Sequence, residues 1–357
     1  MKKGIMQKII KLVLSSIVGV GLLLSACGKK DDNRVYEIPT YTENEWKNKQ
    51  NEEGELLFES YEDEYIINKW TEEQTGIERP YGICVLEDAI YICDFSGHCV
   101  VKLGLDGERI ASYGQLGAES GNFTNPTAIV CHDSLLYVLD QGNHRIQIFD
   151  QEMNYQYEVS YMSPVFSKTV YFQDMAVDRE GTIYLSEWEG FVDDAAIYYI
   201  AEDGIATQIE PHISGVLAEY QGEVYAINTY SLFYVQTVTG LARGATFGES
   251  FLFNCTKAGL EQIGELPYKY AAADFCIVDD IVYAVSLYDP LRVQMNRLSM
   301  YGELDSAIYI FERGERDYST ISQEPVEYPW YLDVVDDNHI YAVDSLWRTI
   351  YYLQKEE

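Results

Sequence analysis

The chain has 357 residues, with 25 basic and 58 acidic side chains and a formal net charge of −33 at pH 7. So acidic a surface repels phosphate backbones, which excludes nucleic acid as a partner. With 47% hydrophobic residues the chain is long and apolar enough to bury a sizeable core.

Lys2, Lys3, Lys8 and Lys11 form a basic start, and an apolar stretch follows from about Leu12 to Leu24. It is short for a membrane span of about 20 residues and ends in Leu24-Ser25-Ala26-Cys27. That tetrapeptide resembles the lipobox of bacterial lipoproteins. The resemblance implies that residues 1–26 are a signal peptide and that Cys27 is lipidated, palmitate-fashion, as the first residue of the mature chain. It also implies an anchor in the lipid bilayer, on the extracytoplasmic side of the bacterial cell membrane. The alternatives are an ordinary cleaved signal and an uncleaved helix. A diacylated cysteine supplies the two acyl chains that stable anchoring takes. Without residues 1–26 the chain keeps 21 basic and 58 acidic residues, a net charge of −37. Residues 27–54 carry the anchor and a polar, charged run expected to be a disordered tether. Residues 55–357 are expected to form one all-β domain, and no later segment is apolar enough to cross a bilayer.

Six tyrosines, Tyr91, Tyr137, Tyr184, Tyr225, Tyr283 and Tyr341, recur at spacings of 46, 47, 41, 58 and 58 residues. Each sits between two apolar residues, as in Ile90-Tyr91-Ile92 and Ile340-Tyr341-Ala342. A supersecondary unit recurring at this period points to a propeller or solenoid. Each unit reads as four short β-rich runs separated by turn residues. The tyrosine run is apolar at consecutive positions, as expected of a strand covered on both faces. Cys84, Cys131 and Cys276 fall near one repeat offset and read as small buried strand residues. Cys93 and Cys99 flank a hairpin, where a disulfide is a candidate.

Asn143-His144-Arg145-Ile146 with Pro126 and Asp140, and the linker from Gly114 through Gly121-Asn122-Phe123 to Pro126, are similar to the NHL repeat. The match covers residues 76–150 and fades afterwards. The resemblance implies a six-bladed β-propeller and makes His98 and His144 repeat residues. The last unit ends at Arg348-Thr349-Ile350-Tyr351-Tyr352-Leu353, one strand short. Glu64 to Trp70 resembles Glu108 to Tyr113, so an N-terminal strand is expected to complete the last blade and close the ring.

Three positions after each tyrosine stands a short polar residue: Asp94, Asp140, Glu187, Asn228, Ser286 or Asp344. The carboxylates Asp94, Asp140, Glu187 and Asp344 are weak candidates for a divalent cation. The preferred reading is local, as acceptors for the following turn. The doublets Asp279-Asp280 and Asp336-Asp337 read as solvated turns. Two segments break the repeat. Thr229 to Glu249 carries Tyr230, Phe233, Tyr234, Arg243 and Phe247. Leu287 to Ser306 carries Tyr288, Arg292, Arg297 and Tyr301. Long inserts on compact domains serve as binding loops, and aromatic residues beside arginine suit an interface. No nucleophile elbow, phosphate loop or zinc-binding spacing is present. The expectation is a monomeric cell-envelope lipoprotein whose propeller binds a protein, peptide or glycan without catalysis and without a required cofactor. The alternative is a metal-dependent propeller hydrolase or lyase.

Overall fold

The structure, a computed structural model, describes residues 65–162, 171–187, 196–209, 213, 215–228, 232–237, 240–245, 251–265, 271–289, 292–300, 304–311 and 330–355. Cys27 and the tether lie outside the described residues.

Strand β1 (Tyr65–Thr71) and the single-turn helix α1 (Glu72–Thr75) come first. Blade one is β2 (Pro80–Leu86), β3 (Ala89–Asp94), β4 (Cys99–Gly104) and β5 (Arg109–Tyr113). Blade two is β6 (Pro126–His132), β7 (Leu135–Asp140), β8 (Arg145–Phe149) and β9 (Tyr155–Ser160). Blade three is β10 (Phe172–Val177), β11 (Ile183–Glu187), β12 (Ile197–Ile200) and β13 (Ala206–Gln208). Blade four begins with β14 (Gly215–Tyr220) and β15 (Glu223–Asn228). A separate hairpin of β16 (Leu232–Thr237) and β17 (Gly240–Ala245) interrupts it before β18 (Phe251–Thr256) and β19 (Gly259–Glu265). Blade five is β20 (Ala271–Val278), β21 (Ile281–Asp289), β22 (Arg292–Ser299) and β23 (Leu304–Phe311). Blade six has β24 (Trp330–Asp336), β25 (His339–Asp344) and β26 (Thr349–Lys355), and β1 is its fourth strand. All six blades are four-stranded antiparallel sheets, so the six-bladed β-propeller expected from the tyrosine repeat is the fold.

The tyrosines lie in the second strands, with Tyr91, Tyr184, Tyr283 and Tyr341 each at most 2% exposed. Second strands are apolar at successive positions because neighbouring blades cover both faces. The blades are thin, so the apolar clusters lie between them. One joins Met175 and Leu185 of blade three to Leu139 and Ile148 of blade two. Another joins Val216 and Ile227 of blade four to Phe275 and Val282 of blade five. The first hairpins turn through left-handed residue pairs such as Asp133-Ser134 and Asp279-Asp280. Turns with positive φ at both central residues match the twist of the flanking strands, and Asp tolerates that conformation.

Closure follows the expectation. β1 pairs antiparallel with β26 over seven residues, from Tyr65 opposite Lys355 to Thr71 opposite Thr349. Trp70 is 8% exposed and stacks on Tyr352 with ring centroids 5.7 Å apart. Gly107, at φ +82°, packs so closely on the Trp70 indole that a Cβ would overlap it. The Arg348 side chain adds an ion pair to Glu72 at 2.7 Å.

Three sequence expectations need correction. Cys93 and Cys99 are free and buried, and Cys93 faces Val100 in the ladder. The disulfide joins Cys84 to Cys131, on the first strands of blades one and two. Their nearly equal offsets reflect two facing first strands, not burial alone. Leu287 to Ser306 is no insert either, because the end of β21, the whole of β22 and the start of β23 fill most of it, and β22 pairs with β21 along its length. Finally, Asp337 is not simply solvated: it accepts hydrogen bonds from Arg297 at 3.1 Å, Lys355 at 2.7 Å and the Tyr283 hydroxyl.

The Trp70→Ala variant is expected to lose about 3 kcal/mol of stability, the usual cost of truncating a large buried aromatic. Ile66→Ala, at the neighbouring site that is 48% exposed, is expected to stay within about 0.5 kcal/mol. Chemical denaturation of the two variants compares them directly.

Candidate functional site

Five of the six polar residues after the tyrosine runs have a local occupation, and the side chain of Ser286 lies outside the described residues. Asp94 is 2% exposed and accepts the backbone N–H groups of Glu78, Arg79 and Gly97, all at 2.9 Å. Asp140 is fully buried and accepts from the Thr124 N–H at 2.7 Å, the Asn143 amide at 2.9 Å and the Arg145 Nε at 2.9 Å. Glu187 accepts from the Tyr198 hydroxyl, and Asn228 from the Phe251 N–H. Asp344 accepts from the N–H groups of Leu346 and Trp347. In blades one and two these side chains fasten the linker that enters the blade's own first strand. Among the described residues no cluster of three or more His, Cys, Asp or Glu could hold a metal ion. His144 and His98 sit at φ 54° and 53° in the turns into the third strands, and Arg348 takes the same place in blade six. His98 also accepts the Asn125 N–H through Nδ1 at 3.1 Å.

The two irregular segments meet the fold differently. β16 and β17 pair as a hairpin of their own, with Phe233 opposite Gly244 and Tyr234 opposite Arg243. They interrupt the connection between the second and third strands of blade four. Tyr288 and Arg292 lie in the matching hairpin of blade five, where β21 and β22 run longer than their counterparts. These segments therefore leave the same end of adjacent blades. Arg297 does not join them. It faces Tyr283 near the opposite end of the blade, 5.7 Å from that ring, and bonds to Asp337. Tyr230, Phe247 and Tyr301 lie outside the described residues.

The feature the sequence reading missed is the centre. First strands of all six blades line a central channel that encloses about 230 Å³. Each first strand is the edge of its sheet, so half its N–H groups face the channel without a ladder partner. Three aspartates answer them. Asp174 accepts the Met175 N–H at 2.8 Å and, across to blade four, the Leu217 N–H at 2.6 Å. Asp274 accepts from Phe275 at 2.9 Å and from Leu332 of blade six at 2.7 Å. Asp333 accepts from Val334 at 2.8 Å and from Val85 of blade one at 2.5 Å. Each carboxylate thus ties its own blade to the next.

Burial opposes their ionisation. It raises Asp174 and Asp333 to about 6 against the N–H bonds that favour the charged form. It raises Asp274 further, helped by the negative charge of Asp174. Among the described residues no Lys, Arg or His lines the channel, and the other acidic residue there is Glu219. The sequence did carry a signal, namely one acid inside an otherwise apolar first strand. Ala272-Ala273-Asp274-Phe275-Cys276 is the clearest case.

No family model matches the chain. Solved structures share its fold at low identity. A luciferin-regenerating enzyme aligns over 81% of this chain and 95% of its own, with 10% identity and a TM-score of 0.55. The PQQ-bound aldose sugar dehydrogenase of Streptomyces coelicolor aligns over 82% and 99%, with 12% identity and a TM-score of 0.53. Virginiamycin B lyase of Staphylococcus aureus aligns over 81% and 99%, with 11% identity and a TM-score of 0.48. The likeness to the first two shows the fold alone, and identities this low say nothing of activity.

A carboxyl raised in the folded state holds its proton where the unfolded chain has lost it. Its contribution to stability is complete below about pH 3.8 and is lost as pH rises through about 6. Asparagine offers one acceptor oxygen where Asp333 offers two, so Asp333→Asn should be the less stable protein at pH 4. Its deficit should shrink by on the order of 2 kcal/mol by pH 7.5. Urea denaturation at the two pH values measures this, and a constant deficit would contradict it.

Proposed function

We propose that this chain is a lipid-anchored, extracytoplasmic binding protein that presents one end of its propeller to a protein, peptide or glycan. The observation that carries the reading is the pair of irregular hairpins on adjacent blades. The separate β16–β17 sheet and the lengthened β21–β22 hairpin stand at one end of the ring, where a regular blade has only a short turn. Sequence there supplies Tyr234, Arg243, Tyr288 and Arg292 on a chain that is otherwise strongly acidic. Aromatic and arginine side chains are the residue types that dominate binding energy at interfaces.

The lipobox-like Leu24-Ser25-Ala26-Cys27 supports the anchor, and residues 27–54 would give the ring its reach from the membrane. The NHL-like signature Asn143-His144-Arg145 supports kinship with propellers built from that repeat. In this chain those side chains fasten a linker, since Asn143 and Arg145 both donate to Asp140. A hydrolase or lyase reading draws its support from enzymes that share the fold. The carboxylates it would recruit are engaged by their own blades.

A photo-cross-linking residue at position 234 or 288 in living cells is expected to give discrete adducts. The same residue at the exposed position 202, on the outer edge of blade three, should give none. Identical patterns at all three positions would remove the reading. Mass spectrometry of the mature N-terminus should find an acylated Cys27, and Cys27→Ser should leave the precursor unprocessed.

A further inference from the structure

The corner where blade one receives its linker holds a cation without an anion. Arg79 stands just before β2 and is half-buried. Its guanidinium carbon lies 5.4 Å from the centre of the Tyr81 ring and 5.2 Å from that of Phe95. The guanidinium makes no hydrogen bond or ion pair with any described residue, and its N–H groups stay open to solvent. The other arginines whose side chains the structure describes all have polar partners. Arg109 donates to the Thr75 carbonyl, and Arg145, Arg179, Arg297 and Arg348 pair with Asp140, Glu223, Asp337 and Glu72. On a chain with 58 acidic and 25 basic residues a carboxylate is easily found, so its absence here sets Arg79 apart. Asp94, beside the Arg79 backbone, is committed to the N–H groups of Glu78, Arg79 and Gly97.

The surroundings are aromatic and firmly held. Phe95 and Tyr81 stack with ring centres 4.7 Å apart, and Tyr81 meets Tyr331 of blade six at 5.4 Å. The three rings form a ladder from the half-buried Phe95 to the channel wall at Tyr331. The Phe95 N–H donates to the Arg79 carbonyl at 2.9 Å, and the Asn125 side-chain amide donates to the Phe95 carbonyl at 3.1 Å. The Ser345 hydroxyl of blade six donates to the Pro80 carbonyl. Groups held in place before a ligand arrives cost less to order on binding. A guanidinium beside aromatic rings keeps its five N–H donors, which fan out in its own plane.

We propose that this corner binds a small aromatic monocarboxylate, its carboxylate accepting a forked pair of N–H bonds from Arg79 and its ring packing on Phe95. A carboxylate is the planar match to the guanidinium fork. One negative charge is favoured over two, because the acidic chain repels anions and a dianion such as phosphate meets about twice that repulsion. The half-buried Phe95 ring gives the ligand's ring an aromatic neighbour, and such pairs gain more than the area they bury. The site lies at the end of the ring from which β16 and β17 leave, yet it needs no partner at the hairpins. Cross-linking at positions 234 and 288 can therefore fail without touching it.

Benzoate is the probe, titrated into the full chain in non-ionic detergent at neutral pH and followed by ligand-observed NMR. Saturable binding is expected, with benzamide, the neutral isostere, at least about tenfold weaker. Acetate keeps the charge and lacks the ring, and should be at least about threefold weaker. Arg79→Lys should weaken benzoate about fivefold or more, since an ammonium cannot offer the fork. Arg79→Gln should reduce benzoate to the level of benzamide, with near-UV circular dichroism verifying the fold. Should that variant not fold, the ratio of benzoate to benzamide on the unmutated protein decides. No saturable binding of benzoate, or equal affinity for benzoate and benzamide, would overturn the proposal. So would unchanged affinity in a folded Arg79→Gln, or inorganic phosphate binding more tightly than benzoate.

Discussion

The ring depends on how the backbone N–H groups of Leu217, Leu332 and Val85 are satisfied. They belong to inner strands, each the edge of its own sheet, so no ladder partner lies on their channel side. A propeller buries these edges instead of pairing them, so each N–H costs free energy unless a side chain accepts it. Asp174, Asp274 and Asp333 do so with one oxygen while the other holds the adjacent N–H of their own strand. Other interfaces use different chemistry for the same purpose. Blades one and two share the Cys84–Cys131 disulfide, and the Thr127 hydroxyl of blade two donates to the Phe172 carbonyl of blade three at 3.2 Å. Blades four and five meet through apolar packing and the Tyr220–Asp280 hydrogen bond at 3.1 Å.

The choice of carboxylate has consequences that a hydroxyl would not. Three acids brought together, with no basic side chain among the described residues of the lining, make the middle of the molecule anionic when they ionise, and burial makes that charge costly. Stability and electrostatics are thereby coupled at one place, the channel, while the outer end of the blades remains free to vary. The second-to-third strand connections of blades four and five can lengthen because the closure between β1 and β26 and the central ties do not involve them. Function is read from the departure from the repeat that the hairpins make, because the shared fold serves many chemistries.

The blade count was legible because each Tyr sits in a second strand covered on both faces, where apolar neighbours are compulsory. Closure was legible because the last blade lacked a strand that Tyr65 to Trp70 resembled. The local role of Asp94 and Asp140 was legible from their place at strand ends. The channel acids were not, because Asp174, Asp274 and Asp333 stand ten, nine and eight residues before their tyrosines. Bulges and turns of different length absorb those offsets, as at Phe172/Asp174 and Ala272/Asp274. A repeat ruler blurs residues that bulges bring together in space. The same blurring hid the disulfide, since Cys131 stands one place off the offset of Cys84. In blade five the long period was assigned to a loop when longer strands took it up.

The anionic, burial-strained centre is tested most directly by following aspartate carboxyl carbons by NMR during a pH titration of the isotope-labelled protein. Asp174 and Asp333, assigned through their Asn variants, should titrate near pH 6, with Asp274 higher. Titration of all three near the ordinary value of 3.8 would mean that the N–H ties outweigh burial, and would contradict a channel in which burial governs their ionisation.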